Sequence, residues 1–265
     1  MWLNTSCNLT FEITEPTTFL LMLRPRSNKK QWIARDEYIT YPAIKVIEYS
    51  DSFGNLCQRL IAPPGNFSIR TSSIVMTDEN IETCPGAPFS EIQTLPSKVI
   101  PYLLPSRYCE SDRLGALASD IVGDIESGYD QVCRIVEWVK NTLRYIPGSS
   151  YCPMSALELE NQDFGVCRDL THLSIALCRG LSIPARITVG YLYKLEPMDL
   201  HAWFEAYVGG KWYTFDPTLD EPRGGRVVVA HGRDAADVAI FNQFGPPVQL
   251  SHQEVKVNIV DNFSF

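Results

Sequence analysis

Residues 164–181 read FGVCRDLTHLSIALCRGL, and the reading of the whole chain turns on this stretch. Gly165 stands two positions before Cys167. From Cys167 onward, Leu170, Leu173, Ser174, Leu177 and Cys178 recur at helical spacing, which predicts an apolar helix beginning at or near Cys167. Gly180, and then Pro184, close it. The first turn of a helix presents unpaired backbone N–H groups and the positive end of the dipole. That setting favours the thiolate, the nucleophilic form of cysteine. A lone cysteine also suits a small buried apolar position, so the residues downstream have to decide.

Residues 201–208, HAWFEAYV, read as a strand with two distinct faces. Ala202, Phe204, Ala206 and Val208 form an apolar face for a core. His201, Trp203, Glu205 and Tyr207 form a polar, aromatic face suited to a cleft. Gly209-Gly210 is a hairpin signal, and Lys211–Phe215 returns alongside. Asp216 then falls near His201, with Pro217 ending the strand. Packing the Cys167 helix on this sheet would bring a thiol, an imidazole and a carboxylate together, the arrangement nucleophilic catalysis requires. The same spacing predicts further strands at Ala185–Tyr193, Arg226–Ala230 and Val255–Val260.

Upstream, helices are expected over Leu114–Ile125 and Tyr129–Leu143, and Ser155-Ala-Leu-Glu158 has the form of a capping box. Residues 85–105 carry Pro85, Pro88, Pro96, Pro101 and Pro105, as a linker or an ordered wrapping segment would. Residues 1–84 read as all-β: Leu9–Ile13 alternates, Thr18–Leu23 is a short apolar strand, and Ser68–Thr77 is another. Val46–Tyr49 and Cys57–Ala62 flank a turn containing Gly54 and Asn55. Asp36, Glu37, Asp51 and Asn55 are taken as surface or turn residues. The expected organisation is a β-rich domain over 1–84, a proline-rich segment over 85–105 and an α+β domain over 106–265, with helices packed on an antiparallel sheet.

The 265 residues are 45% hydrophobic and 20% charged, an ordinary globular composition. A net charge of −8 argues against nucleic acid or an anionic membrane as partner. No apolar run approaches the roughly 18 residues that span a bilayer, and the N-terminus lacks a signal-like pattern. A cytoplasmic protein is therefore expected. Its eight cysteines are scattered with no C-x-x-C pair, arguing against a zinc ribbon and for mostly reduced thiols.

Three blocks, GVCRDLTHLSIALCRGLSIPARITVGYL, HAWFEAYV and KWYTFDPT, resemble the transglutaminase-like superfamily, related in architecture to papain-type cysteine proteases. Residues 229–238 resemble the end of its bacterial branch, and Asp51-Ser-Phe-Gly-Asn55 its β-rich N-terminal domain, a β-sandwich-like unit. The resemblance implies a Cys167 nucleophile, a His201 base and an orienting Asp216, acting on a peptide or protein amide without metal or cofactor. Hydrolysis through a thioester is the expected outcome. Protein-glutamine cross-linking, a deglycosylating amidase and a non-enzymatic interaction module remain open at this level. Leu170-Thr171, and the polar Asn161-Gln162-Asp163, depart from the family pattern and bear on substrate preference. The Cys167 backbone N–H is expected in the oxyanion hole, with Gln162 a candidate second donor. His172 is read as a buried, hydrogen-bonded histidine, His231 and Asp234 as structural, and Trp138 and Tyr145 as packing residues. Asp169 suits the helix dipole.

Overall fold

The computed structural model describes residues 1–126, 128–150, 152–238 and 240–261. Alternation at the N-terminus extends beyond Leu9–Ile13 to a long strand, β1 (Trp2–Ile13), whose Leu3, Thr5, Cys7, Leu9, Phe11 and Ile13 are buried. β2 (Thr17–Leu21), β3 (Gln31–Tyr41), β4 (Ile47–Ser50), β5 (Leu56–Ala62) and β6 (Gly65–Thr77) follow. β4 and β5 form the expected hairpin, with Ser50 opposite Leu56 and Gly54 at φ +83° in its turn. β3 escapes a reading by alternation for two reasons. It is an edge strand, and a bulge between Ile33 and Arg35 interrupts its period of two.

The helical part comprises α1 (Gly115–Val122), α2 (Tyr129–Thr142), β7 (Arg144–Tyr145), α3 (Ala156–Glu160), β8 (Phe164–Gly165) and α4 (Cys167–Gly180). Ser155 and Glu158 form the expected capping box at α3. β9 (Ala185–Leu192), β10 (His201–Val208), β11 (Lys211–Phe215) and β12 (Arg226–Gly232) make an antiparallel sheet in the order β11-β10-β9-β12. Val208 faces Lys211 across Gly209 and Gly210, both in the left-handed region at φ +56° and +79°, as a tight two-residue hairpin demands. This is a mixed α+β fold of mostly antiparallel sheets with a few helices.

The end of the chain corrects one expectation. β13 (Phe241–Phe244) pairs with β2, and β14 (Gln249–Ile259) pairs with β1 over most of its length. The strand expected at Val255–Val260 therefore completes an N-terminal sheet, not the sheet that holds His201. Its apolar residues at alternate positions suit either sheet, and only long-range pairing selects between them. The two N-terminal sheets run β14-β1-β6-β3 and β13-β2-β5-β4. They meet through aromatic contacts, with Phe11 5.0 Å from Phe19 and 5.1 Å from Phe241 between ring centroids.

Residues 85–105 wrap the molecule. The Ala87 carbonyl accepts from Tyr129 N–H (2.9 Å) and the Pro88 carbonyl from Gly209 N–H (2.8 Å). Gly128, at φ +132°, lets this segment pass; a Cβ there would lie 2.2 Å from the Ala87 oxygen.

β12 is an edge strand, and three N-terminal side chains occupy its open edge. Thr77 Oγ1 donates to the Arg226 carbonyl at 2.7 Å. The Gln31 carboxamide donates to the Val228 carbonyl and accepts from its N–H, both at 2.8 Å. The Asn55 carboxamide does the same at His231, again at 2.8 Å twice. A carboxamide carries one donor face and one acceptor face, so it replaces a neighbouring strand at that residue. Asn55, read as a surface or turn residue, stands in the turn and is buried there. Asp51 holds the turn from below, accepting from Phe53 N–H, Asn55 N–H and the Asn55 amide.

Candidate active site

α4 is the central element: every residue from Asp169 to Arg179 is buried. Burial on all sides requires partners for polar groups, and Asp169, Thr171, His172, Ser174 and Arg179 each have one. Ser174 bonds the Leu170 carbonyl. Arg179 reaches the carbonyls of Leu104, Ala185 and Arg233 and the Ser106 hydroxyl. His172 donates from Nδ1 to the Met154 carbonyl (2.9 Å), accepts at Nε2 from Ala235 N–H (3.1 Å) and stacks on Tyr108. Burial pushes its pKa down, so it is a neutral, fully engaged imidazole. Asp169 turns back to accept from Val166 N–H, Met154 N–H and Arg168 Nε, directing its charge into the helix start.

Cys167 is the first residue of α4 and is half-buried. The two-residue parallel pair β7–β8 immediately precedes it, with Tyr145 opposite Gly165. No larger residue fits easily at Gly165, where a Cβ would press on Leu170 and Leu159 at about 3 Å. α4 lies across β9 and β10, with the Thr171 hydroxyl reaching the Ala202 carbonyl.

His201, at the start of β10, donates from Nε2 to Asp216 Oδ2 at 2.8 Å. Both side chains are buried. The hairpin through Gly209-Gly210 brings Asp216 back beside His201, as local geometry predicts. Asp216 Oδ2 also accepts from Arg226 Nη2 (2.9 Å), while Oδ1 accepts from Thr218 N–H (3.0 Å) and Oγ1–H (2.6 Å). Burial would raise the Asp216 pKa, but His201, Arg226 and Thr218 hold it far below the usual carboxylate range. Burial opposes a charged His201 too. Asp216 and the contact with the Cys167 thiol overcome it and raise the imidazole from the ordinary 6.5 to about 9. With Nε2 engaged by Asp216, Nδ1 is buried and has no partner in hydrogen-bond geometry among the described residues.

The polar face of β10 is more covered than the sequence suggests: Trp203 and Glu205 are buried along with His201. Trp203 stacks beside His201, centroids 6.0 Å apart, and carries the Arg226 guanidinium 4.9 Å above its ring. Thr218 and Arg226 thus join the site, together with Trp203, which the sequence already places on the same strand face as His201. Thr218 has a local signal, since Asp216-Pro-Thr218 has the form of a side-chain-capped turn. Arg226 has none, because a long connection separates it from Asp216. Tyr145, expected to serve packing alone, is close enough for Cys167, Asp216 and Asp199, after burial, to push its phenol further up. Gln162 sits on an exposed turn, its backbone N–H bonded to the Leu159 carbonyl. Asp234, expected to be structural, receives Tyr108 N–H and Ala236 N–H.

Residues 115–217, which hold Cys167, His201 and Asp216, match the family described as the transglutaminase-like superfamily. A solved structure named "Putative Cysteine Protease", from Cytophaga hutchinsonii, superposes with a TM-score of 0.88 at 37% identity, covering 100% of this chain and 92% of that one. The chain belongs to the transglutaminase-like superfamily. An uncharacterized protein of Mycobacterium leprae (strain TN) is 31% identical over 231 residues, 82% of each chain. Among the described residues, no helix is long and apolar enough to cross a membrane.

Proposed function

We propose that this transglutaminase-like protein is a cysteine-nucleophile acyl-transfer enzyme acting on peptide or protein amides, with Cys167 as nucleophile, His201 as base and acid, and Asp216 as the orienting carboxylate. One observation carries the reading. The His201 ring gives one nitrogen to a fully satisfied buried carboxylate and keeps the other without a partner, next to a cysteine at a helix N-terminus. An ionised carboxylate only accepts, so Nε2 carries a proton. A proton gained at Nδ1 then makes an imidazolium that Asp216 stabilises and that pairs with the Cys167 thiolate.

The thiolate attacks the amide carbonyl carbon, forming a C–S bond. The developing oxyanion is assigned to the backbone N–H of Cys167, the first residue of the helix. The C–N bond breaks, and the amine leaves with the proton of His201 Nδ1. Water next attacks the thioester as His201 takes its proton; the C–S bond breaks, the acid is released and the thiolate–imidazolium pair is restored. Hydrolysis agrees with the name given to the Cytophaga protein. A lysine amine in place of water would give cross-linking, and product analysis tells the two apart. A cytoplasmic setting remains part of this proposal. It rests on the sequence, whose eight scattered cysteines with no C-x-x-C pair suit reduced thiols.

The test is the pH dependence of iodoacetamide labelling at Cys167, located by mass spectrometry. Rapid labelling at pH 6 that disappears in His201→Ala is expected, together with hydrolysis of a chromogenic peptide amide that Cys167→Ala abolishes. Labelling that rises only around pH 8.5, where an ordinary thiol ionises, and that ignores His201, would overturn the proposal.

A further inference from the structure

A large cavity shares Trp203 and Arg226 with the surroundings of the His201–Asp216 pair. It is a cleft of about 980 Å³ between the N-terminal sheets and the polar face of β9–β12. Its floor is built, not merely exposed. Arg186 donates from Nε to Glu205 at 2.8 Å and lies 4.3 Å above the Trp212 ring. His231 hydrogen-bonds with Thr188 through Nδ1 at 2.9 Å.

The charge of this cleft runs against that of the molecule. Net charge is −8, yet Arg26, Lys29, Lys30 and Lys98 line the cleft with no carboxylate at ion-pair distance among the described residues. The Arg26 guanidinium bonds the Ser50 hydroxyl and the Gly54 carbonyl, and the Lys30 ammonium the Trp212 carbonyl at 3.4 Å. The acids of the lining are committed: Glu205 to Arg186, Asp237 to Arg233 and Glu82 to Lys211, leaving Asp78. Of these four cations, Lys30 acts on two buried groups of the floor, behind burial and Arg186. Burial would raise Glu205, but Arg186, His231 and Lys30 hold it at about 2. Burial, Arg186 and Lys30 together push His231 down to about 3, against the pull of Glu205.

We propose that this cleft is a binding site for an acidic peptide segment. Its unpaired cations come from two separate stretches, 26–30 and Lys98, so a ligand that satisfies them needs several carboxylates spaced along its length. Tyr102, Trp212 and Phe53 in the walls offer apolar surface for the stems between those charges. Ligand sites of this size commonly combine apolar walls with a few fixed polar groups. Trp203 and Arg226 belong both to the cleft wall and to the surroundings of His201 and Asp216. An occupant therefore lies one side chain away from the reacting groups.

The intact protein is titrated with hexaglutamate amide and with hexaglutamine amide, followed by tryptophan fluorescence and calorimetry. Saturable binding of hexaglutamate is expected, weakened at least tenfold for hexaglutamine, in high salt, and in the Lys29→Glu/Lys30→Glu double variant. Lys98→Glu alone is expected to weaken it several-fold. All three positions are exposed, so circular dichroism should show unchanged folds. Equal binding of the two peptides, or unchanged binding by the charge-reversed proteins, overturns the proposal. So does tripolyphosphate binding tenfold more tightly than hexaglutamate, which would make the cleft a phosphate site. Cys167→Ser protein serves equally well, so failure here is distinct from failure of the acyl-transfer reading.

Discussion

Thr218 and Arg226 show how far the setting of the His201 imidazole depends on the groups that hold Asp216. Asp216 has two oxygens and four bonds, and each bond fixes the plane in which it meets His201. Thr218→Val removes the 2.6 Å hydroxyl bond and keeps the side-chain volume. A loss of about 1–2 kcal/mol in stability is expected, together with several-fold slower labelling of Cys167 at pH 6. Denaturant titration and timed alkylation check the two effects separately. Raised basicity at His201 also sets an upper limit of pH. The imidazolium predominates below about 9, so amide hydrolysis, which needs the His201 proton for the leaving amine, should decline as pH rises through that value. An Asp216→Asn variant should move this decline to lower pH, measured by the pH profile of peptide-amide hydrolysis.

At the level of elements, β12 is held from both sides by unlike means. On one side it pairs with β9, and the bulge between Val228 and Ala230 lies against Gly190. A Cβ at Gly190 would sit 2.0 Å from the Val227 oxygen, a contact with backbone that cannot move without breaking the pair. Gly190→Ala is expected to cost more than about 3 kcal/mol, or to leave no soluble folded protein. On the other side Gln31 and Asn55 stand in for a strand. Asn55→Ala leaves the His231 N–H and C=O unpaired and should lower stability by about 1–3 kcal/mol. Asn55→Asp keeps the acceptor but turns the donor into a second acceptor facing the His231 carbonyl, and should cost at least as much. Urea denaturation with a fixed slope measures both.

For the whole molecule, three histidines place the stability optimum near neutrality. His201 has a folded pKa above the ordinary 6.5, so its contribution is complete below 6.5 and is lost as pH climbs toward 9. His172 and His231 are shifted the other way by burial. Their folded forms stay neutral while the unfolded chain takes up protons, so stability falls as pH drops below 6.5, for His231 down to about 3. The limiting slope is about 1.4 kcal/mol per pH unit for each group. Denaturation midpoints from pH 4 to 10 should therefore pass through a maximum near 6–7, and His231→Gln should flatten the acid limb. Closure by β13 and β14 supplies a second prediction. A chain ending at Val238 leaves β1 and β2 as open edges, and should be recovered as aggregate where the full chain is soluble.

Much of this protein is legible along the chain because the signals are local. The start of α4 at Cys167, the β10–Gly209-Gly210–β11 hairpin and the Ser155 box depend on neighbours within a few residues. That hairpin alone brings Asp216 to His201, so the pair is readable from the sequence by itself. The same local signals single out Cys167 and carry the α+β class. Tertiary structure decided the rest. The partner of β14 lies more than two hundred residues away in β1. The burial of Asn55 depends on an unpaired edge created by β12. Arg226 meets Asp216 only because β12 folds back along β9. The positive cleft is assembled from loops of one half over the sheet of the other. Alternation and capping fix what a segment is, since they follow from backbone geometry. Which segment it meets depends on long-range pairing of groups that would otherwise be buried without partners, and no local pattern encodes that choice.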